Sequence, residues 1–351
     1  MAMQTGDRER VQKRLAAILF KKLYLDSRET ISKIVKDTAI SHHTISKYLR
    51  EYEQKYDLSY TLDIDPIALG FSEERILAIK FDDPPKIELL KKVLGNDIYV
   101  QNAYLSNGDF DLIIHVLGPN TIEYGHWEFK LRVGFSKYKP KISTSVINHT
   151  VEGFLPIKSK IINKSKNINA TEKTVLGALI KNSRTRLKDL EKLTNLSQMQ
   201  VLYTMKKLKK DGKIKKFSTL VQNTNKKMFL FYGITYTPNI NHHRLSLLPF
   251  MDGVINAEKE NDITTDYSII CDTSGHFDSV YFCNFADGQA LNERGALLLK
   301  ETWKAEQPEF KQCILTELVT GKWPFNKNGY YNWKRERDNI INKPVKFDLY
   351  Q

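Results

Sequence analysis

Residues 196–217 read LSQMQVLYTMKKLKKDGKIKKF, a segment with seven lysines and one aspartate. Its apolar residues keep helical spacing, because Val201, Met205 and Leu208 recur at i, i+4 and i+7. This spacing predicts a helix whose apolar face packs inward. The side chains left on the outward face are polar, basic or amphipathic, namely Gln198, Met199, Gln200, Tyr203, Lys206 and Lys207. Such a helix is suited to a polyanion partner.

Lysine and arginine are concentrated in two parts of the chain. Residues 1–60 hold 12 Lys and Arg against 8 Asp and Glu, and residues 158–227 hold 19 against 4. The whole 351-residue chain has a net charge of +13, so the rest of it is slightly acidic. Basic residues that served only solubility would be distributed along the chain and would not be concentrated in two blocks. The sequence therefore predicts a polyanion partner that binds at localised surfaces, and double-stranded DNA is the partner that the helical patterns below favour.

Each basic block contains three helical patterns in succession. The third pattern begins at a serine in both blocks, Ser41 and Ser197, and serine accepts a backbone N–H from the first turn of a helix. A helix, a short turn and a second capped helix form a helix-turn-helix, whose second helix can enter the major groove. Asp211–Gly212 predicts a turn in a basic hairpin, or wing, beside this helix. The predicted DNA contacts of the second block are Ser197, Gln198, Met199, Gln200, Tyr203, Lys206, Lys207, Lys210, Lys213, Lys215 and Lys216.

The first block has a less basic surface. Its third helical pattern turns Ile45, Leu49 and Tyr52 inward, and its wing, KYDLSY, has no cluster of lysines. We expect it to make fewer phosphate contacts than the second block. Its predicted DNA contacts are His42, His43, Thr44, Lys47 and Arg50.

A different pattern follows each basic block. Residues 74–157 read as strand, helix, strand, strand, helix and strand, and residues 228–320 repeat this order. In the second copy the predicted strands are MFLFYGITY, DYSIICDTS, FDSVYFCNF and KQCILTELV, and the predicted helices are HRLSLLPFM and ALNERGALLLKETW. The β-α-β-β-α-β order predicts an α+β fold with ferredoxin-like sandwiches, each of four antiparallel strands with both helices on one face.

Short matching segments place the two copies in one register. NGDFDLIIHV at 107–116 matches SGHFDSVYFC at 274–283, and VEGFLP at 151–156 matches VTGKWP at 319–324. The offsets of 167 and 168 residues agree closely, which indicates an internal repeat. Gly108 and Gly275 then fall in the turn between the middle strands, where glycine adopts a positive φ at low cost. Asp111 and Asp278 begin the next strand, and we expect them to hydrogen-bond back to the turn.

A winged helix-turn-helix followed by a β-α-β-β-α-β domain with G-x-F-D in its central hairpin resembles the Lrp/AsnC family of transcription regulators. LDIDPIALG at 62–70 is similar to the link between the family's DNA-binding and regulatory (RAM) domains. The resemblance covers nearly the whole chain, twice. It implies a first winged helix-turn-helix (1–60), a linker (61–73), a first ferredoxin-like domain (74–157), a second, strongly basic winged helix-turn-helix (158–227), a second ferredoxin-like domain (228–325) and a C-terminal extension (326–351).

The resemblance also implies partners. Members of this family dimerise through their sandwich domains and commonly bind amino acids between them. A tandem chain would resemble a dimer made from one chain, or would associate with further copies. An amino-acid-like effector is then expected at the ferredoxin-like domains, with Gly108, Asp111, Gly275 and Asp278 as candidate contacts.

The chain departs from the family in the turn before the third helix, where a glycine often stands. Thr38-Ala39-Ile40 and Thr194-Asn195-Leu196 occupy that turn in the two blocks. Asparagine tolerates a left-handed conformation, whereas alanine would be strained. We refer to the two helix-turn-helix units as the first and the second head. The departure therefore disfavours DNA binding by the first head more than DNA binding by the second.

Two other functions fit the same plan. Siroheme decarboxylases share it and bind a tetrapyrrole with many carboxylates, which basic residues would attract. A catalyst needs titratable groups that converge on a pocket, but His115, His126 and His149 have no counterparts in the second copy, so we interpret them as surface residues. The other alternative is a partner-binding regulator without DNA contact. The sequence lacks GxxxxGK[ST], GxGxxG, HExxH, GxSxG and CxxC, which favours a regulator over an enzyme.

Cysteine and histidine spacing predicts neither a metal site nor a cofactor. Cys271, Cys283 and Cys313 are widely spaced, as buried reduced thiols would be, and the His42-His43 and His242-His243 pairs lack a carboxylate or thiol at ligand spacing. No apolar run is long enough to cross a bilayer, and the start lacks an apolar signal region. We expect a cytoplasmic, nucleoid-associated protein without membrane contact, whose extension 326–351 either docks onto a neighbouring domain or contacts nucleic acid.

Overall fold

A computed structural model describes residues 19, 22–38, 40–56, 58–221, 228–235, 266–285 and 309–323, and it shows a mixed α+β fold. The first described elements are α1 (Ile31–Thr38), α2 (His42–Tyr56) and β1 (Leu58–Ile64). Ile45, Leu49 and Tyr52 of α2 are buried, as predicted. Ser41 Oγ accepts the backbone N–H of Thr44 at 3.2 Å, which confirms the predicted helix cap.

The first β-α-β-β-α-β segment contains the predicted elements in the predicted order. They are β2 (Glu73–Lys80), α3 (Ile87–Gly95), β3 (Val100–Gly108), β4 (Leu112–Gly118), α4 (Thr121–Gly134) and β5 (Lys141–Glu152). A short 3-10 helix, Ser136–Tyr138, lies between α4 and β5.

The second half contains a helical segment and four more strands. A 3-10 helix, Ser159–Lys164, precedes α5 (Ala170–Lys181), α6 (Leu187–Thr194), α7 (Gln198–Lys210) and β6 (Ile214–Val221). The four predicted strands follow as β7 (Met228–Thr235), β8 (Asp266–Gly275), β9 (Ser279–Phe285) and β10 (Glu309–Thr320). The predicted helices HRLSLLPFM and ALNERGALLLKETW lie outside the described residues, as does the extension 326–351.

Strands β2–β5 and β7–β10 close into one antiparallel barrel. The order is β3-β4-β2-β5 in the first set and β8-β9-β7-β10 in the second, which is the ferredoxin-like order. Two seams join the sets edge to edge, β5 with β8 and β3 with β10. The seams match in register, because Gly275 lies opposite Ser145 in one and Gly108 lies opposite Cys313 in the other. Closure leaves none of these eight strands with an open edge.

The barrel has one apolar core inside and another on its outer face. Ile76 of β2 and Phe231 of β7 belong to the interior cluster, to which both strand sets contribute. Leu77, the next residue along β2, packs outward with Leu90 of α3 and Trp127 of α4. Because successive side chains of a strand point to opposite faces, β2 is buried on both faces and its sequence reads as a continuous apolar run. Helices α3 and α4 thus cover one face of the first sheet, as predicted.

Strands β1 and β6 join the two helix-turn-helix segments. They form a two-stranded antiparallel sheet in which Thr61 lies opposite Ser218 and Leu62 lies opposite Phe217. β1 therefore continues past residue 60, where the sequence placed a domain boundary.

This pairing corrects the predicted hairpin around Asp211 and Gly212. Asp211 and Gly212 do form a turn, with Gly212 at a φ of 72°, but the residues before them belong to α7 rather than to a strand. The hairpin prediction is therefore wrong, and the partner of β6 is the distant strand β1. The hydroxyl groups of Ser27 and Ser183, 2.7 Å apart, add a second link between the two segments.

Candidate nucleic-acid interface

Local hydrogen bonds fix the helices of the second helix-turn-helix at their ends. Asn169 and Glu172 form a capping box at the start of α5, and Ser197 and Gln200 form another at the start of α7. Between α6 and α7, Asn195 has a left-handed conformation with a φ of 54°. The cap at Ser197 and the conformation of Asn195 confirm the sequence predictions.

One face of α7 is buried and the opposite face is open. Val201, Met205 and Leu208 are buried, as predicted. Met199 is 75% exposed and Tyr203 is 71% exposed on the other side. Ser197, Gln198 and Gln200 are also exposed. An open helix face of this kind can lie in a major groove, where apolar side chains contact thymine methyl groups.

Three of the predicted lysine contacts border this face with exposed side chains. Lys206 and Lys210 on α7 and Lys215 on β6 are exposed, and none of them forms an ion pair within the described part of the chain. Lys209 is exposed as well, a residue that the sequence analysis missed, and its Nζ lies 5.9 Å from the centre of the Phe217 ring. Exposed lysines beside a recognition helix are suited to phosphate contacts.

Two other predicted contacts, Lys207 and Lys213, are held inside the domain. Lys207 Nζ lies 2.8 Å from Glu172 Oε1, and Lys213 Nζ lies 3.5 Å from Glu172 Oε2. The sequence analysis placed Lys207 on the open face with Lys206, but the structure places it half-buried beside α5. Lys213 Nζ also lies 3.7 Å from Asp211 Oδ2, so two carboxylates compensate the charges of these two lysines within the protein.

Lys216 is also held internally. Its Nζ lies 3.6 Å from the centre of the Tyr24 ring and 4.0 Å from Asp63 Oδ2. Lys216 thus bridges β6 to residues of the first half of the chain, and its contacts differ from those of its exposed neighbour Lys215.

Glu172 is the carboxylate that organises Lys207 and Lys213. Its side chain is only 4% exposed. Burial raises the pKa of Glu172, but hydrogen bonds from Lys207 and from the backbone of Asn169, together with the charge of Lys213, lower the pKa by more. The net shift is downward, so Glu172 stays ionised. The sequence analysis missed this residue, although the spacing Asn169-x-x-Glu172 is that of a capping box.

The two glutamines at the start of α7 already hold internal hydrogen bonds. Gln198 Nε2 donates to Glu191 Oε2 at 2.8 Å, and Gln200 Oε1 accepts the backbone N–H of Ser197 at 2.9 Å. An amide that pairs with adenine uses both its oxygen and its nitrogen. Adenine contact by either glutamine therefore requires the loss of one of these bonds, whereas Met199 and Tyr203 are free to touch bases.

The first helix-turn-helix offers fewer free cations. His42, His43, Lys47 and Arg50 are exposed on α2, and Thr44 is half-buried. Lys47 Nζ lies 3.9 Å from Glu51 Oε1, and Arg50 Nε donates to the backbone carbonyl of Ser46 at 3.3 Å. Ala39, where the sequence predicted strain, lies outside the described residues.

The two glycines among the candidate effector contacts lie at the barrel seams. Gly108 has a φ of 135° and Gly275 a φ of 119°, which confirms the predicted positive φ. A Cβ on Gly108 would lie 2.6 Å from the carbonyl oxygen of Gln312, and one on Gly275 would lie 2.8 Å from that of Thr144. Glycine is thus needed at both positions for the turn and for the close approach of the neighbouring strand.

The two aspartates have structural contacts in the same region. Asp111 Oδ2 accepts the backbone N–H of Phe81 at 2.8 Å, and Asp111 Oδ1 lies 2.7 Å from Lys80 Nζ. These side-chain bonds tie Asp111 to the end of β2, while the backbone carbonyl of Asp111 accepts the N–H of Ser106 across the turn at 2.9 Å. The backbone N–H of Asp278 donates to the carbonyl of Ile234 at 2.8 Å. The effector role of the glycines and aspartates remains a prediction.

The three histidines of the first sandwich do not converge. His115 is fully buried, with its ring nitrogens 3.0 Å from Asn102 Nδ2 and 3.0 Å from Glu74 Oε1, so its interpretation as a surface residue is wrong. His126 and His149 are exposed, as predicted. Cys271, Cys283 and Cys313 are buried free thiols. Within the described ranges, no three His, Cys, Asp or Glu side chains cluster as metal ligands would, and no helix is long and apolar enough to span a membrane.

Comparison with protein families locates the DNA-binding segment. Residues 168–215 match the family of winged helix-turn-helix DNA-binding domains. This segment is a winged helix-turn-helix. The match covers α5, α6 and α7, the helices whose caps and open face are described above. None of the curated proteins matches the sequence.

Two solved structures are similar to nearly the whole chain. The crystal structure of the siroheme decarboxylase NirDL covers 94% of this chain and 99% of that chain, with 14% identity and a TM-score of 0.55. The same protein in co-complex with an iron-uroporphyrin III analogue covers 93% and 99%, with 15% identity and a TM-score of 0.55. At these identities the likeness shows a shared fold. An AsnC family transcriptional regulator from Agrobacterium tumefaciens is similar over a smaller part: the match covers 41% of this chain and 93% of that chain, with 15% identity and a TM-score of 0.35.

Proposed function

We propose that the chain is a sequence-specific DNA-binding transcription regulator of the Lrp/AsnC type, with α7 as its main recognition helix. The observation that carries this proposal is the open face of α7, where Met199 and Tyr203 are exposed beside lysines that form no ion pair within the described ranges. This face belongs to the segment that matches the winged helix-turn-helix family. Large exposed side chains and free cations on a helix of this class are the features that contact bases and phosphates.

Residue roles in this proposal follow from the observed contacts. Met199 and Tyr203 read base edges in the major groove. Lys206, Lys210 and Lys215 contact phosphates, because their ammonium groups are exposed and have no ion-pair partner among the described residues. The predicted contacts Lys207 and Lys213 instead pair with Glu172, and Lys216 lies between Tyr24 and Asp63, so these three lysines are directed to the protein itself. The first head, with His42, His43, Thr44, Lys47 and Arg50, supplies weaker contacts.

We also propose that one chain takes the place of a regulator dimer through an internal duplication. The β1–β6 sheet links the two helix-turn-helix segments, and two seams of matching register link the two strand sets. Both features support a pseudo-symmetric arrangement within a single chain. An amino-acid-like effector near the seams and association with further copies belong to this proposal as well.

Genome-wide mapping of bound DNA tests the proposed function. We expect the full-length chain to enrich discrete sites that share a sequence motif, and we expect Tyr203→Ala with Met199→Ala to lose that enrichment. Both side chains are largely exposed, so the double variant should fold normally, and circular dichroism checks this point. An enrichment profile identical for the wild type and the double variant would contradict the assignment of α7.

A second candidate function is a tetrapyrrole decarboxylase, which the full-length similarity to NirDL favours. The histidines weaken it, because His115 is enclosed within the fold while His126 and His149 are exposed at separate places. Titration of the chain with siroheme, followed by visible absorbance, separates the two functions. Stoichiometric siroheme binding without duplex DNA binding would favour the enzyme.

A further inference from the structure

A cavity of about 420 Å³ lies between the barrel and the second helix-turn-helix. Its walls come from the turn between α3 and β3, the start of β3, residues 156–160, the end of α5 and the residues after β10. Four lysines from three of these segments line it, namely Lys158, Lys160, Lys181 and Lys322. A volume of this size is within the range of sites for small organic ligands.

The four lysines have no charge partner among the described residues. In the parts of the chain that the structure describes, none of these lysines forms an ion pair, and the buried Nζ of Lys158 has no hydrogen-bond partner. Leaving a buried ammonium group without a partner is unfavourable for the folded state. Burial lowers the pKa of Lys158 to about 8, with Asp97 raising it and Lys160 lowering it further, and burial also lowers the pKa of Lys322.

Asp97, the carboxylate in the cavity wall, is committed to other contacts. Its Oδ1 accepts the backbone N–H of Tyr99 at 2.8 Å, and its Oδ2 accepts Trp127 Nε1–H at 2.6 Å. These bonds hold Asp97 in the turn between α3 and β3. Asp97 therefore attracts Lys158 only at a distance, and the lysines keep a net positive charge.

The backbone of the cavity is held in place by two adjacent side chains of β3. Gln101 Oε1 accepts the backbone N–H of Lys158 at 2.8 Å. Asn102 Oδ1 accepts the backbone N–H of Lys322 at 3.0 Å. Both β3 side chains are buried. They fix two lysines that are 164 residues apart in the sequence beside the same cavity, so this group of cations is preorganised.

We propose that this cavity binds a small organic anion with two or more carboxylate groups. Several ammonium groups that line one cleft, without an ion-pair partner among the described residues, are complementary to several carboxylates. Pro156, Ile157 and Ile180 also line the cavity, and these apolar walls favour a carbon skeleton over an inorganic phosphate. The ligand would touch the barrel and the end of α5 at once. This site goes beyond the proposed DNA contact and does not depend on it.

Calorimetric titration of the full-length chain with citrate and succinate tests this site, with acetate and inorganic phosphate as comparison anions. We expect one citrate or succinate per chain, and much weaker binding of acetate and phosphate. Lys158→Gln and Lys322→Gln should each weaken the dicarboxylate or tricarboxylate binding at least about tenfold. Lys188→Gln on α6 is the matched control, because it removes the same charge from an exposed position away from the cavity, and it should change the affinity less than about twofold.

Three results would overturn this site. They are no binding of either polycarboxylate, equal binding of phosphate, and equal weakening by Lys188→Gln and Lys158→Gln. Thermal unfolding of each variant verifies that it is folded. Lys158→Gln removes a buried ammonium group, so we expect this variant to unfold at a higher temperature than the wild type. A variant that had lost its structure would not show this increase. Lys322→Gln provides an independent second variant.

Discussion

The placement of lysines around α7 predicts which of them control the salt dependence of DNA binding. Lys206 and Lys215 are exposed and unpaired within the described residues, whereas Lys207 and Lys213 are bound to the buried carboxylate of Glu172. We therefore compare two double variants. One combines Lys206→Gln and Lys215→Gln, and the other combines Lys207→Gln and Lys213→Gln. Each double variant removes two positive charges from the same short segment.

The expected difference follows from counterion release. Each phosphate that a lysine neutralises contributes about 0.9 to the slope of log affinity against log salt concentration. Loss of Lys206 and Lys215 should therefore reduce the slope by about 1.8. When the salt concentration rises from about 50 to about 200 mM, the factor by which affinity falls should be roughly 12 times smaller for this variant than for the wild type. Loss of Lys207 and Lys213 should leave the slope nearly unchanged and should lower the stability of the domain.

Fluorescence anisotropy with a labelled duplex, repeated over a series of salt concentrations, measures both slopes. Urea unfolding of the same variants measures their stability. If the two double variants reduced the slope equally, the lysines would act through their total charge rather than through individual phosphate contacts. The distinction between exposed and internally paired lysines would then be refuted. If neither reduced the slope, α7 would not be the DNA-binding surface.

Three further predictions concern stability and use urea unfolding. Glu172→Gln should cost roughly 2 kcal/mol at pH 7, because Lys207 loses its buried partner. Since the net pKa shift of Glu172 is downward, its contribution is present above its unfolded pKa of about 4.3 and should disappear as the pH falls through the lower folded pKa. Gly108→Ala should cost more than about 2 kcal/mol, and Gly212→Ala, whose Cβ would meet nothing within 4 Å, only about 1 kcal/mol. Burial raises the pKa of Asp63 to about 6, so its ionisation costs stability as the pH rises from about 4 to about 6, and Asp63→Asn should stabilise the protein by roughly 1–3 kcal/mol at pH 7 but not at pH 4. Equal losses of stability in the two glycine variants would contradict the explanation for the glycines. Stability changes that do not depend on pH in Glu172→Gln or Asp63→Asn would contradict the other two.

Local features of the fold could be predicted from the sequence. The caps at Ser41 and Ser197 depend on residues within one helical turn, and the inward face of α7 depends on helical periodicity. The strand order followed from apolar runs separated by turns. Each of these features is determined by residues close together in the chain, where spacing alone carries the information.

Contacts between distant segments could not be predicted in the same way. The partner of β6 is β1, about 150 residues earlier in the sequence. The sequence around Asp211–Gly212 predicted a hairpin because the same turn residues can connect either two strands or a helix and a strand. Lys206 and Lys207 are neighbours with similar sequence surroundings, yet only Lys207 reaches Glu172. Periodicity gives the direction of a side chain but not the charge of the element that packs beside it.

Gly108 shows how far a correct local prediction extends. Its turn requires a positive φ, which the sequence indicated. The seam adds a second requirement, because the backbone of Gln312 passes too close for any Cβ. This requirement comes from closure of the barrel between two halves of the chain, so a single copy of the repeat would not reveal it.

The asymmetry between the two heads follows from these long-range contacts. The β1–β6 sheet and the Ser27–Ser183 bond link the heads to one another, so their spacing cannot adjust freely to DNA. Among the described residues, the exposed lysines without an ion pair beside α7 are Lys206, Lys210 and Lys215, whereas Lys47 on α2 lies 3.9 Å from Glu51 Oε1. A duplex held mainly by the second head would be presented to the first at a set distance. Under the proposed function, we therefore expect the first head to affect sequence selection more than affinity, since phosphate contacts supply most of the affinity and base contacts supply the specificity.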